Sequence, residues 1–130
     1  EDIKIKVGSA VPLKDELDVE VNGRDVITGL PKTVRIESEE IRRALNKPLD
    51  EMAKAVKDAL DATPPDLASD LMYILLTGGG ALLRGLDVRL RDETGVSVNV
   101  SPTALDNVVN GCARVLEANA FDGGFVQTNA

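Results

Sequence analysis

Short runs of alternating apolar and polar residues fill the first third of the chain, a pattern typical of β-strands. Residues 17–21 alternate, Asn22-Gly23 follows, and residues 25–27 resume the apolar pattern. Because Asn-Gly readily adopts the two positive φ angles of a type I′ turn, we predict a β-hairpin that turns at this dipeptide. Residues 33–36 alternate again after a Gly-Leu-Pro break and form a third predicted strand. We therefore expect a small antiparallel sheet here.

The segment before this sheet, residues 3–7, has the sequence Ile-Lys-Ile-Lys-Val. Its alternation fits a strand, but after two acidic residues it fits the last turn of a helix equally well. The pattern alone leaves both possibilities open.

Two helices are predicted after the sheet, with a joint at Pro48. Ser38 is a favourable N-cap residue, and the two glutamates that follow it face the positive end of the helix dipole. Pro48 lacks an N–H and would clash with the preceding turn inside a helix, but it suits the first turn of a second helix. That second helix is expected to end at residues 63–65, Thr-Pro-Pro. We therefore place a subdomain boundary near Pro48.

The second half of the chain has the pattern of an α/β unit. Residues 73–76 are a continuous apolar run, as expected for a strand that is covered on both faces. Gly78-Gly79-Gly80 follow at once, and residues 81–93 have helical spacing up to Gly95. The leucines expected on the inner face of this helix are Leu82, Leu83, Leu86 and Leu90. Valines at every second position then predict another strand over residues 96–100.

A last helix is predicted over residues 105–116, after a Ser-Pro break. Cys112 lies on its predicted inner face, where a free cysteine is far more often a small core residue than a nucleophile. Residues 121–130 are rich in Gly and Asn, and we expect a flexible tail there. The fold class is therefore α/β, with α+β character in the N-terminal third.

Composition narrows the classes of function. The chain carries 22 acidic and 15 basic residues, a net charge of -7 and a pI near 4.6, which repels phosphate backbones and anionic lipid surfaces. We therefore expect neither nucleic-acid binding nor direct membrane contact. One Cys and no His argue against a disulfide framework and against the usual zinc and Cys–His sites. A cytoplasmic location is expected, and the absence of a leader and of an initiator Met suggests a segment of a longer chain.

The glycine turn is the sharpest candidate site. Gly78-Gly79-Gly80 would let a ligand approach the backbone closely, and free N–H groups at a helix start favour anionic or polar groups. The motif is neither a P-loop nor the spaced dinucleotide fingerprint. By pattern alone, a ligand-contacting turn and a turn that only packs a helix on a strand are about equally favoured.

Adjacent carboxylates could suggest acid–base chemistry, but each pair has a simpler explanation. Two of the pairs stand at predicted helix starts, where negative charge offsets the helix dipole, and the third lies in a turn. The pairs are Asp15/Glu16, Glu39/Glu40 and Asp50/Glu51. We therefore predict no catalytic residue and no metal site in this chain.

Taken in order, these segments resemble the C-terminal part of MreB, the bacterial actin-like, shape-determining protein family. The most specific segment is Leu-Thr-Gly-Gly-Gly-Ala-Leu-Leu-Arg-Gly-Leu over residues 76–86. Actin, sugar kinases and Hsp70 proteins share a version of the glycine turn, so that turn alone would not be specific. The matching segments are residues 1–10, 29–31, 40–49, 63–70, 76–86 and 93–95.

The resemblance implies a partial actin-like ATPase fold, in which a small antiparallel sheet with a helix precedes a helix and a β–glycine turn–α–β–α unit. Residues 1–47 would be a segment like subdomain IIB, and residues 48–120 a segment like subdomain IIA. It also implies where ATP would bind. Glu1 and Lys4 would lie against the ribose and adenine, and the three glycines of residues 78–80 would approach the nucleotide.

The resemblance indicates which parts of the family's machinery precede this segment. The two phosphate loops, the Mg²⁺ ligands and the acidic residue that positions the attacking water are all upstream. The full-length family is an ATPase, but this segment alone is expected not to hydrolyse ATP, because phosphoryl transfer depends on those parts. The chain also departs from the family pattern, since residues 71–75 replace a longer stretch and residues 110–114 replace a glycine-richer run that contains Lys.

The function implied is that of a segment of an MreB-like protein that binds ATP and polymerises into filaments directing cell shape and cell-wall synthesis. The expected partners are further copies or other MreB-like subunits, together with the shape and wall-synthesis machinery. In the full-length family the filaments associate with the membrane. Two alternatives are a fragment of a sugar kinase or Hsp70-like ATPase and a short module that joins the MreB cytoskeleton without binding nucleotide.

Overall fold

The computed structural model describes residues 1–117, except the side chains of residues 68 and 69. The predicted flexible tail, residues 121–130, lies outside the described residues. The elements in chain order are α1 (Asp2–Val7), β1 (Asp18–Arg24), β2 (Pro31–Glu37), α2 (Ser38–Asp61), α3 (Pro65–Ser69), β3 (Ile74–Leu76), a 3₁₀ helix (Gly79–Leu82), α4 (Leu86–Thr94), β4 (Val98–Val100) and α5 (Asn107–Glu117).

The ambiguous N-terminal segment is helical. Residues 2–7 form α1, and Val7 at its end is buried. Gly8 ends the helix by donating its N–H to the carbonyl of Lys4 at 2.8 Å. The alternation of residues 3–7 therefore does not reflect a strand.

The hairpin has its strands in different places from those predicted. β1 runs through Asn22 and Gly23 to Arg24 and pairs with β2 in an antiparallel register from Asp18 opposite Glu37 to Arg24 opposite Pro31. The predicted third strand, residues 33–36, is thus part of the second strand. The predicted turn at Asn22-Gly23 and the predicted strand at residues 25–27 are both wrong.

The turn is built instead around the side chain of Asp25. Its Oδ1 accepts hydrogen bonds from the N–H groups of Ile27 at 2.9 Å and Thr28 at 3.0 Å. Gly29 has a φ of 70° and donates its N–H to the carbonyl of Asp25 at 2.8 Å. The turn therefore combines an Asp side chain that bonds the backbone after it with a glycine that closes the turn. It forms in place of the predicted Asn-Gly turn and leaves the two strands paired over seven positions.

The predicted helix break at Pro48 is also wrong, since α2 is one helix from Ser38 to Asp61 with Pro48 inside it. Pro48 has no N–H, so the carbonyl of Ala44 lacks its usual hydrogen bond within the helix. Both residues are exposed. That carbonyl can bond to water, while Leu49 and Ala53 on the opposite face are buried in the core. The assignment of residues 1–47 and 48–120 to two subdomain segments remains a prediction.

The ends of α2 agree with the sequence signals. The helix begins at Ser38, although its N-cap is Glu37, and the buried Ser38 hydroxyl accepts the N–H of Leu17 at 2.9 Å. It ends at Asp61, before the prolines, and α3 then begins at Pro65. Proline favours the first turn of a helix, where its missing N–H has no partner to lose.

The core lies where α2 and α4 pack over the parallel pair of β3 and β4. In this pair Ile74 stands opposite Val98 and Leu76 opposite Val100. Leu75 points the other way and is 53% exposed, so the prediction of a strand covered on both faces is wrong for the described residues. The buried residues of the core cluster are Ala10, Leu49, Ala53, Leu86, Leu90 and Val98.

The predicted helix over residues 81–93 is divided in two. A 3₁₀ helix ends at Leu82, and α4 starts only at Leu86, because Gly85 adopts a left-handed conformation with a φ of 72°. Leu82 is exposed, which corrects its predicted inward position, while Leu86 and Leu90 are buried as predicted. The predicted stop at Gly95 is confirmed, since this residue has a φ of 72° and donates its N–H to the carbonyl of Arg91.

The last helix, α5, exists as predicted, but its predicted inner face is not covered. None of its residues is buried among the described residues, and Cys112 is exposed. The prediction that Cys112 is a core residue is therefore wrong within the described part of the chain. The exposed apolar residues at and before the helix are Leu105, Val108, Val109, Val115 and Leu116.

Candidate functional site

The predicted ribose and adenine residues lie together at the start of α1. Glu1 stands at the N-cap position, and Lys4 Nζ lies 3.0 Å from its Oε1 in an exposed ion pair. The hydrogen bond from Lys4, together with its charge, holds the pKa of the Glu1 carboxyl below its ordinary value. The pair therefore presents a carboxylate and an ammonium group side by side to solvent.

The three glycines form the turn between β3 and the 3₁₀ helix. Gly78 has a φ of 81°, and Gly79 and Gly80 open the 3₁₀ helix. A Cβ atom built at Gly78 or Gly80 would meet no atom within 4 Å, and one built at Gly79 would lie 3.6 Å from Leu105 Cδ2. Two of the three positions thus face open space from which a ligand can reach the backbone.

Arg84 connects the glycine turn to α1, a role that the sequence reasoning missed. Its Nη1 donates to the carbonyls of Ile5 at 3.0 Å and Gly8 at 3.3 Å, and its own carbonyl accepts the N–H of Ala10 at 2.8 Å. No hydrogen bond or ion pair joins Glu1 or Lys4 directly to the glycines among the described residues. Arg84 belongs to the motif that carries the resemblance, but nothing in its spacing signals this contact.

Asn107 is a second residue that sequence reasoning missed. It is the first residue of α5, and its side chain bonds to Thr77, immediately before the glycine turn, and to two residues of the loop after β4. In the sequence, an Asn near a helix start is a signal only for capping of that helix. It does not indicate that the side chain bonds to a distant residue such as Thr77.

One carboxylate of each adjacent pair is engaged in an ion pair with an arginine. Glu16 pairs with Arg42, Glu39 with Arg43, and Asp50 with Arg89. Within residues 1–117 no group of three or more metal-binding side chains could hold a metal ion. The prediction that the chain has no catalytic residue remains a prediction.

Comparison with known proteins identifies the family. The family model for MreB/Mbl protein matches residues 1–122. The chain belongs to the MreB/Mbl family. This membership decides against the alternative of a sugar kinase or Hsp70-like fragment.

The relatives are proteins of bacterial cell shape. Over 119 residues, 90% of this chain, it is 42% identical to the cell shape-determining protein Mbl of Bacillus cereus. Over 126 residues, 95% of this chain, it is 43% identical to the cell shape-determining protein MreB of Escherichia coli K12. The chain spans 36% of the length of each of these relatives.

Solved structures of the family establish the fold. MreB5 of Spiroplasma citri bound to ADP superposes with a TM-score of 0.83 at 34% identity, over 94% of this chain and 39% of that one. The same protein bound to AMPPNP superposes with a TM-score of 0.82, over 92% of this chain and 36% of that one. The fold is thus a partial actin-like fold, as predicted. Across the described part of this MreB/Mbl chain, no helix is long and apolar enough to cross a membrane.

Proposed function

We propose that this chain is the part of a cytoplasmic MreB-like protein that supplies half of an ATP site and contacts between filament subunits. Its membership of a cell shape-determining family and its likeness to MreB5 bound to ADP or AMPPNP support this proposal. The filaments would act in cell shape and cell-wall synthesis, with the wall-synthesis machinery as a further partner.

The residues of the proposed half-site suit a nucleoside. The Glu1 carboxylate can accept hydrogen bonds from ribose hydroxyls, and its ion pair with Lys4 keeps it ionised. The open space beside Gly78 and Gly80 would admit the nucleotide to the backbone. When bound, ATP supplies the phosphoryl group for hydrolysis, but within this chain we assign only binding and orientation to these residues.

Calorimetric titration of ATP with Mg²⁺ into the purified chain tests the half-site. We expect saturable binding that weakens about tenfold in Lys4→Met, because a charge-assisted contact is lost. Lys6→Met, which removes a neighbouring exposed lysine of α1, is the matched control and is expected to bind like the unaltered chain. Equal losses in the two variants would contradict a specific role for Lys4.

Hydrolysis is a separate question. Since the family's phosphate loops lie upstream, we expect no phosphate release from ATP above the blank with this chain alone. Measurable release that follows the chain through purification would overturn this expectation.

The hairpin tip is our candidate for the contact between subunits. Val26 and Ile27 are 101% and 96% exposed, yet the hydrogen bonds to the Asp25 side chain hold this tip in one conformation. We infer a contact surface from these two adjacent, fully exposed aliphatic side chains on an ordered turn.

An apolar groove elsewhere on the molecule is the surface we propose for the tip of the next copy. It has a volume of about 460 Å³ and lies between the C-terminal half of α2 and the chain that enters β3. Because the tip and the groove are different surfaces, their contact would be head-to-tail, and it would propagate into a filament where the rotation between copies does not close a ring. The groove is lined by Met52, Ala55, Val56, Ala59, Leu60, Thr63, Leu71 and Ile74.

Sedimentation of the chain over a range of concentrations tests this contact. The double variant Val26→Ser/Ile27→Ser is expected to abolish concentration-dependent association. Val108→Ser/Val109→Ser changes an exposed apolar pair on α5 and serves as the control. Loss of association in the α5 variant alone would contradict the role of the hairpin tip.

A further inference from the structure

The side chain of Asn107 has partners for both of its polar atoms. Its Oδ1 accepts hydrogen bonds from the hydroxyls of Thr103 at 2.6 Å and Ser101 at 3.1 Å. Its Nδ2 donates to Thr77 Oγ1 at 2.9 Å. A single amide thus joins the start of α5, the loop after β4 and the end of β3.

These hydrogen bonds run in one direction. Thr77 accepts from Asn107, so its own hydroxyl hydrogen is free to donate to the carbonyl of Ala104, 3.1 Å away. The same carbonyl accepts the N–H of Gly78 at 2.8 Å. Gly78 and Thr77 therefore both donate to the carbonyl of Ala104, which is a buried residue. Asn107 adds to this network by donating to Thr77.

The other end of the glycine turn is held by Ala81, which is buried and donates its N–H to the carbonyl of Gly78 at 3.1 Å. Gly78 has a positive φ, and a Cβ atom at Gly78 or Gly80 would have no neighbour within 4 Å, so the backbone of these residues borders open space. The hydrogen bonds of Thr77 and Gly78 to the carbonyl of Ala104 hold the start of the turn. Loss of one of them would leave the backbone beside the nucleotide free to move.

We propose that Asn107 is a positioning residue for nucleotide binding, which acts through Thr77 and Ala104 on the glycine turn. This proposal rests on the half-site proposed above. Asn107 need not touch the nucleotide, and its effect on affinity arises from the orientation of the turn at Gly78.

The test compares ATP affinity with thermal stability in matched variants of the chain. Asn107→Ala and Thr77→Val each remove one partner of the same hydrogen bond, and each is expected to weaken ATP binding about fivefold. The double variant is expected to bind no more weakly than either single one, because both act on one network. Thr77→Ser retains the hydroxyl and is expected to bind like the unaltered chain.

Asn110→Ala is the control, since it shortens an exposed asparagine on the same helix. All affinities are measured well below the unfolding midpoint of each variant, so that a purely structural effect is separated from a loss of positioning. Unchanged affinity in both Asn107→Ala and Thr77→Val, or additive losses in the double variant, would overturn the positioning role but not the proposed half-site. A failure of the unaltered chain to bind ATP would overturn the half-site and this role with it.

Discussion

Arg42 holds the carboxylate of Glu16 with both of its terminal nitrogens, with Nη2 2.8 Å from Oε1 and Nη1 3.2 Å from Oε2. The hydroxyl of Ser38 donates to the same carboxylate. The hydrogen bond from Arg42 and then that from Ser38 lower the pKa of Glu16 from 4.5 to about 2, and Glu16 raises the pKa of Arg42. The contact ties the segment before β1 to the first turns of α2.

This pairing predicts a defined loss of stability in acid. Because the pKa of Glu16 is lower in the folded chain than in the unfolded one, its stabilising effect is complete above pH 4.5 and is lost as the pH falls towards 2. Glu16→Gln should therefore melt at a lower temperature than the unaltered chain at pH 7, with a difference that closes by about pH 2. Thermal melts across this pH range measure the difference. Glu51→Gln, which changes an exposed glutamate of α2, is the control. A difference that does not change with pH would contradict this account.

Gly85 is expected to tolerate no side chain. It has a φ of 72°, and a Cβ atom there would lie 2.3 Å from Val11 Cγ2. The left-handed conformation and the overlap together predict that Gly85→Ala lowers the free energy of unfolding by about 2–4 kcal/mol. Gly23→Ala is the control, because its Cβ would meet nothing within 4 Å and its φ is not positive. Equal stability of the two variants in urea unfolding would refute the steric argument.

Arg89 joins α4 to α2 and to the chain after α1. Its nitrogens lie 2.5 Å from Asp50, 3.3 Å from Glu93 and 3.3 Å from the carbonyl of Ala10, and its side chain is only 16% exposed. Arg89→Ala is expected to destabilise the fold by about 2 kcal/mol, since several partners lose a charged donor together. Arg91→Ala, half-exposed on the same helix, is expected to change the free energy of unfolding by under about 0.5 kcal/mol. Denaturant melts compare the two, and similar losses would argue against Arg89 as a joint between helices.

Pro48 offers a route to a more stable chain. Pro48→Ala would restore an N–H that can bond to the carbonyl of Ala44 within the continuous helix α2. We expect the free energy of unfolding to rise by about 1 kcal/mol. This net gain is smaller than the helix preference for Ala over Pro, because the unfolded chain has more conformational freedom with Ala than with Pro. Pro102→Ala, in an exposed loop, is expected to give no such gain. A loss of stability in Pro48→Ala would mean that α2 needs the proline for its packing.

The parts of the fold that could be predicted depend on short stretches of chain. The stop of α4 at Gly95 follows from a capping rule that involves neighbouring residues only. The start of α2 at Ser38 agrees with the acidic residues of its first turn, although its N-cap is Glu37 and not the predicted Ser38. The glycine turn could be predicted in the same way, since Gly78, Gly79 and Gly80 directly follow an apolar strand. The contacts of Arg84 and Asn107 could not be predicted, because each joins residues that are far apart in the chain.

The sequence by itself determined the helix start at Ser38, the helix stop at Gly95, the glycine turn after β3 and the resemblance to the family, because these depend on local pattern and on motifs that stand in the chain. Only the tertiary structure decided where the hairpin turns, that α2 continues through Pro48, and that the helix predicted over residues 81–93 divides at Gly85. In each case a local signal competed with a distant one: pairing with β2, burial of Leu49 and Ala53, or close contact with Val11. The physical reason is that backbone preferences of about 1 kcal/mol, or about 3 kcal/mol for a proline inside a helix, are smaller than the combined energy of a paired strand or a packed helix face.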